Sequence, residues 1–322
     1  MSKRPPSWFD YTKHPDYLDA IDKMADEAEK NPPVWPHSAP EFGDPPPGVN
    51  FLSLGHGDCL EGLYEFDDNC VAAVITDPPY GISYDGNAWD AEIPGVRLWR
   101  EVLRVLRPGG LVLAASHART YHQLATMLEL AGFEVLDMLV WSYGNSRPVG
   151  ADLGNGWRSL LKRGHEPWAI VRKPLAERQV PGKKTDSMQK APPTVADTFQ
   201  RFGTAGFLVV NNGQDGQAWA SNVLRVEKDR RERSLGLPPD GSIKNDHPTL
   251  KPIGLMRRLV RLVAKPGDII LDPFAGSGTT GIACMAEGVN FVGFELDPQY
   301  FDMMQNRVAW AFNNPKEVPP RA

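Results

Sequence analysis

The chain has 322 residues and a formal net charge of -5, enough to bury one large core or two modest ones but with no overall basic footprint for nucleic acid. No stretch nears the roughly 18 apolar residues needed to span a membrane, and the N-terminal "MSKRPPSWFDYTKHPDYLDA" lacks the apolar core of a secretory signal. Cys59, Cys70 and Cys284 form no CxxC pair, so a cysteine-built metal site is not expected and a reduced, cytoplasmic protein is.

In chain order, "DYLDAIDKMADEAEK" places Leu18, Ile21, Met24, Ala25 and Ala28 on one helical face, and "NPPVWPHSAPEFGDPPPG" (31–48) is a proline-rich connector. Residues 1–49 are therefore read as a helical and proline-rich extension, and 50–322 as the main domain. From there, apolar runs alternate with helical periodicity. "FLSL" (51–54), "VAAVIT" (71–76), "LVLAAS" (111–116), "VLDMLVW" (135–141), "WAIV" (168–171), "DIILD" (268–272) and "FVGFE" (291–295) are expected as buried strands. Amphipathic segments between them, such as "VRLWREVLRVL" before the turn "RPGG", "RTYHQLATMLELAG", "PIGLMRRLVRLVA", "TTGIACMAEG" and "PQYFDMMQNRVAWAF", are expected as helices. This alternation predicts an α/β fold with a mostly parallel sheet covered on both faces. Residues 172–246 break the pattern, with only "GFLVV" (206–210) and "SNVLRV" (221–226) strand-like; a loop-rich insertion on a rigid sheet is where recognition commonly resides. Two segments richer in Arg and Lys, 158–173 and 225–236, are the local candidates for contact with DNA, against the plainer reading of solvated faces.

Two motifs carry chemistry. "TDPPYG" (76–81) ends an apolar strand with a carboxylate, two prolines and an aromatic ring; the prolines stiffen the path and present Asp77 and Tyr80 at the strand end. "IILDPFAGSGTTGIAC" (269–284) is a strand, a glycine-rich turn and a helix start, with Gly276, Gly278 and Gly281 in GxGxxG spacing and Glu295 at the end of the next strand. Taken alone, the second motif also describes a nicotinamide dinucleotide site. Against that, only about 40 residues follow Gly281, so the sheet must draw strands from upstream and the order is circularly permuted. "DPFAG" also offers an acid and an aromatic suited to a ligand with an amino-acid end and an adenine, as in S-adenosylmethionine.

Together the two motifs make the chain resemble the DNA amino-methyltransferases, and their order resembles the beta class. The likeness covers most of 50–175 and 246–312, including "GDCLEGL" (57–63), "REVLRVLRPGGLVL", "HEPWAIVRK" (165–173), "HPTLKP" (247–252) and "FVGFELDPQYF" (291–301). It implies a Rossmann-like methyltransferase fold with a seven-stranded sheet, an S-adenosylmethionine cofactor, double-stranded DNA as substrate, a homodimer, and target recognition by 172–246. The expected activity is methylation of the N6 amine of a flipped adenine. Asp77 and the Pro78 carbonyl would accept the amine hydrogens, with Pro79 supplying no competing N–H and Tyr80 stacking on the base. The resemblance assigns to the cofactor Asp58, Thr76, Thr249, Lys251, Asp272, Phe274, Gly276, Ser277, Gly278, Thr279 and Glu295. Cytosine N4 is the alternative acceptor, although its enzymes usually carry Ser where Asp77 stands. A non-catalytic binding module and a nicotinamide oxidoreductase are the remoter readings. His165 and His247 are expected to be structural, and Trp141, Trp168 and Trp219 to pack, with Trp219 also placed to wedge into DNA.

Overall fold

A computed structural model describes residues 45–144, 150–181, 188–207 and 221–319. In chain order the strands and helices are β1 (Leu52–His56), α1 (Cys59–Leu63), β2 (Val71–Thr76), α2 (Val96–Val105), β3 (Leu106–Ala115), α3 (Tyr121–Ala131), β4 (Glu134–Ser142), β5 (Asp152–Gly154), β6 (Trp157–Arg158), β7 (His165–Arg172), β8 (Arg178–Pro181), β9 (Met188–Ala191), α4 (Val195–Phe202), β10 (Val223–Arg225), α5 (Ile253–Val263), β11 (Ile269–Asp272), α6 (Thr279–Glu287), β12 (Asn290–Glu295) and α7 (Pro298–Asn313). The expected N-terminal helix, Trp219 and most of "GFLVV" lie outside the described residues.

The main sheet runs β1-β12-β11-β2-β3-β7-β4-β10. All neighbours are parallel except β7, which runs antiparallel between β3 and β4. Strands from the end of the chain thus sit between β1 and β2, the permuted order expected. The count differs: the sheet has eight strands rather than seven. The extra strand is β10, whose three residues pair parallel with Val140, Trp141 and Ser142 of β4. "SNVLRV" does form a strand, but only long-range pairing decides that it extends the main sheet. β3 also begins earlier than expected, because "RPGG" does not close a turn but continues the strand through a register shift opposite Val71–Ala73.

β2 is buried at every position, which is why its sequence is continuously apolar instead of alternating. Helices α5, α6 and α7 pack on one face around Ile75, Trp141, Trp168 and Phe291. Helices α1, α2 and α3 cover the other around Val74, Trp99, Leu124 and Phe294. Trp141 and Trp168 are fully buried, as expected of packing residues. Among the described residues, no helix is long and apolar enough to cross a membrane.

The described parts of 172–246 are fastened to this body. Arg307 of α7, 0% exposed, donates to the Leu235 carbonyl at 3.1 Å, the Glu232 carbonyl at 3.1 Å and the Ser277 carbonyl at 2.6 Å. The Glu232 carboxylate accepts the Ile253 amide at 2.9 Å, satisfying an otherwise orphan donor in the first turn of α5.

Candidate active site

Parallel strands bring their C-terminal ends to one edge, and ligands of open α/β sheets bind there. Here that edge collects His56 at the end of β1 and Asp58 just after it, Asp77–Tyr80 after β2, Asp272 at the end of β11 with the turn to Thr279, and Glu295 at the end of β12. Because β7 runs the other way, its first residues, His165 and Glu166, lie at the same edge, opposite Ser142 and Trp141 of β4. A cavity of about 530 Å³ opens there, within the range of small-molecule sites.

The turn after β2 is fixed from two sides. The Tyr80 and Tyr84 amides donate to the two carboxylate oxygens of Asp90, the second at 2.9 Å, and Asp90 is 2% exposed. That contact ties the loop following Tyr80 to the turn itself. The Tyr80 hydroxyl donates to Asp77 Oδ1 at 2.6 Å, while Lys251 Nζ donates to Asp77 Oδ2 and lies 3.2 Å from both the Tyr80 hydroxyl and Glu166 Oε1. Burial, then the Asp77 and Glu166 charges, push the Tyr80 phenol well up, so it is a donor across the working pH range. Burial opposes the charge on Lys251, but the two carboxylates outweigh it and hold its pKa above the usual lysine value.

The second half of the site is the glycine turn. Gly276 has φ +53, a conformation that favours glycine, and a Cβ there would stand 3.0 Å from His247 Nε2. Its amide donates to Glu295 Oε2 at 2.8 Å, and Glu295 Oε1 accepts the Asp297 amide at 2.8 Å. Asp272 accepts from the Phe274 amide at 3.1 Å and the Thr280 hydroxyl at 2.5 Å. Burial nevertheless pushes its carboxyl up to about 7 against the pull of those donors. Asp58 caps α1 by accepting the Leu60 amide at 2.7 Å. The N-terminus of α6 faces the cavity through Ser277, Thr279 and Thr280, and carries the positive end of the helix dipole. A cavity whose wall carries Asp58, Asp272 and Glu295, a half-buried Phe274 and a helix N-terminus has the polar groups and size for a zwitterionic nucleoside such as S-adenosylmethionine.

The cavity wall brings together Asp77, Pro78, Pro79, Tyr80, Asp58, Thr249, Lys251, Asp272, Phe274, Gly276, Ser277, Thr279 and Glu295. Two sequence expectations do not reach it. Thr76 is the last residue of β2 and is fully buried within the sheet. Gly278 caps α6 with φ +76, pressed against Met304 and Val308. Lys251 is on the wall, but its ammonium is engaged by Asp77, Tyr80 and Glu166. His247, expected to be structural, lines the cavity between Trp89 and Tyr300, at ring-centroid distances of 6.2 and 4.7 Å, and burial pushes its imidazole down to about 4. Sequence reasoning also missed Tyr84, Trp89, Asp90 and Glu166. The first three sit in "GISYDGNAWD", an aperiodic run dense in aromatics and acids directly after the DPPY turn, a signal that could have been used. Each basic segment is represented by one cation near this edge of the sheet: the Arg163 charge acts on His117, and Lys228 stands over the Trp141 and Tyr143 rings.

Comparison with known proteins yields one family and several relatives. A family model described as DNA methylase, covering N6 and N4 methyltransferases, matches residues 71–306. The Type II methyltransferase M.HindIII of Haemophilus influenzae is 27% identical over 321 residues, spanning 80% of this chain and 96% of its own. The DNA adenine methyltransferase YhdJ of Escherichia coli is 27% identical over 274 residues, spanning 81% and 84%. Two solved structures share the fold. The M1.HpyAVI–SAM complex matches with TM-score 0.50 and 22% identity over 80% of this chain and all of its own. The cytosine-N4-specific PvuII DNA methyltransferase matches with TM-score 0.54 and 17% identity over 87% and 98%.

Proposed function

The chain belongs to the N6/N4 family of DNA methylases, and from that premise we propose that it moves a methyl group from S-adenosylmethionine to the N6 amine of an adenine flipped out of double-stranded DNA. The observation that carries this reading is the meeting of Asp77, Pro78 and Tyr80 with Asp272, Phe274 and Glu295 on one cavity wall. Acceptors for an amine and groups suited to a nucleoside cofactor share a single space. Adenine is favoured over cytosine by Asp77 in place of the serine of the cytosine enzymes, and by the likeness to a relative named as an adenine methyltransferase.

An exocyclic amine is a weak nucleophile because its lone pair is delocalised into the ring. Asp77 would accept one amine hydrogen and the Pro78 carbonyl the other, aiming the nitrogen and taking up the positive charge that develops on it. For that, Asp77 Oδ1 has to exchange the Tyr80 hydroxyl for the base, which frees the Tyr80 ring to stack on it. Stacking at about 1 to 3 kcal/mol per base offsets part of the few kcal/mol needed for flipping. S-adenosylmethionine supplies an electrophilic methyl on sulfur when bound. Asp272 would hold its ammonium, Glu295 its ribose hydroxyls and Phe274 its adenine, while Asp58, Thr249, Gly276, Ser277 and Thr279 complete the wall. Arg163 and Lys228, from the two basic segments, suit the DNA backbone, and recognition is assigned to 172–246. A cytoplasmic homodimer completes the proposal, the assembly being checked by sedimentation.

The test is methylome sequencing of DNA from a methylation-free strain expressing the protein, beside one expressing Asp77→Ala. The expected outcome is N6-methyladenine at one defined motif, lost with the variant. N4-methylcytosine instead would transfer the reading to the cytosine alternative, and unmodified DNA would overturn it.

A further inference from the structure

Lys251 is a buried cation at the site, its side chain 5% exposed and set between two carboxylates, Asp77 at 19% and Glu166 at 16%. An ammonium has three donors and no acceptor. Here its neighbours are Asp77 Oδ2, the Tyr80 hydroxyl and Glu166 Oε1, the last an ion-pair contact at 3.2 Å without hydrogen-bond alignment. Two of these neighbours belong to the DPPY turn and the third to the start of β7, so Lys251 is placed to serve the DPPY turn.

The chemistry needs such a group. Methyl transfer requires Asp77 as an ionised acceptor, because a protonated carboxyl would present a donor to the amine. Yet Asp77 stands within electrostatic reach of Glu166 and of Asp272. Acids crowded in a buried setting repel one another, and a cation in contact with Asp77 offsets that repulsion. On the opposing side are Lys251, with Lys228 beside Glu166, and the neutral His247 and the Tyr80 and Tyr143 phenols carry no charge to oppose it. Lys251 is the one of these cations in direct contact with Asp77.

We propose that Lys251 and Glu166 form a positioning pair: Lys251 balances the charge of Asp77 and holds its Oδ2, leaving Oδ1 for the amine once Tyr80 yields it, and Glu166 anchors the lysine from the opposite side. This rests on the methyltransferase reading above and reassigns Lys251 from the cofactor to the acceptor half of the site. Glu166 reaches the site only because β7 runs antiparallel to its neighbours.

The two partners carry opposite charges, so their removal moves the acidic limb of activity in opposite directions. The experiment measures kcat against pH at saturating DNA and S-adenosylmethionine for wild type, Lys251→Met, Lys251→Arg and Glu166→Gln, with cofactor affinity measured by calorimetry. In Lys251→Met, kcat is expected to fall about 100-fold and the acidic limb to rise by on the order of one pH unit, with cofactor affinity near wild type. In Glu166→Gln, close in shape to the native side chain, the limb is expected to move down while activity falls less. Lys251→Arg keeps the charge and should keep the limb in place. Should Lys251→Met not fold, the paired outcome in Glu166→Gln and Lys251→Arg still decides. Limbs that stay fixed in both Lys251→Met and Glu166→Gln, or a Lys251→Met protein that loses cofactor affinity while keeping wild-type kcat at saturation, would overturn the pair. Wild-type protein that transfers no methyl group would fail the methyltransferase reading itself, independently of the variants.

Discussion

Asp272 shows how a single buried carboxyl can set a pH dependence. Burial raises it to about 7, against the hydrogen bonds that favour its ionised form. If it holds the cofactor's ammonium, binding requires the ionised carboxylate, so affinity is fully present above pH 7 and falls as pH drops through it, by up to about tenfold per unit. Calorimetry from pH 5.5 to 8.5 should show this slope, and Asp272→Asn should bind about 10- to 100-fold more weakly with the slope gone. An unchanged slope in that variant would move the titration elsewhere. At the catalytic turn, Asp77→Asn keeps the shape of the side chain but removes the charge and offers a donor where the amine needs an acceptor. Its kcat should fall about 100-fold or more with cofactor affinity retained, which filter binding and single-turnover assays separate.

Among the elements, the glycine turn and α6 are held by close packing. A Cβ at Gly281 would stand 2.7 Å from Val308 Cγ2 and 2.8 Å from the Phe291 ring. Gly281 therefore sets how near α6 approaches α7 and β12, separately from any part the GxGxxG spacing plays in ligand binding. Gly281→Val should cost about 3 kcal/mol through overpacking, a fall in Tm of several degrees by scanning calorimetry, and should loosen cofactor binding because the turn before α6 moves with it. The helix periodicities in α2, α3, α5, α6 and α7 were plain in the sequence because each presents an apolar stripe to a continuous core. The pairing of β5 with β6 and of β8 with β9 was not, since strands of two to four residues are too short to show a period.

At the scale of the molecule, the insertion and the body are one mechanical unit where 221–246 returns to the sheet. Arg307 bridges the Glu232 and Leu235 carbonyls to the Ser277 carbonyl of the glycine turn, and burial lowers its guanidinium to about 10 without discharging it near neutral pH. Arg307→Met would leave three buried carbonyls without their donors, at about 3 kcal/mol or more. Both Tm and cofactor affinity should fall, since the turn and the insertion lose the same clamp; a variant that lost neither would separate the two regions.

What could be read from the residues alone was local or carried by paired motifs: strands with continuous apolar runs, helices with a stripe, a stiff DPPY turn, a glycine turn before a helix, and the order of those motifs, from which the permuted sheet followed. These depend on neighbours in sequence, where sterics and periodicity act directly. Only the tertiary structure could decide that β10 is an eighth strand, that His247 lines the cavity, that Thr76 and Gly278 do not, and that Lys251 faces Asp77. Each of these depends on pairing or charge between residues far apart in the chain; Lys251 and Asp77 are 174 positions apart and Glu166 reaches them through the direction of one strand. No local pattern encodes such distances. The free energy that selects them comes from burying the whole sheet at once.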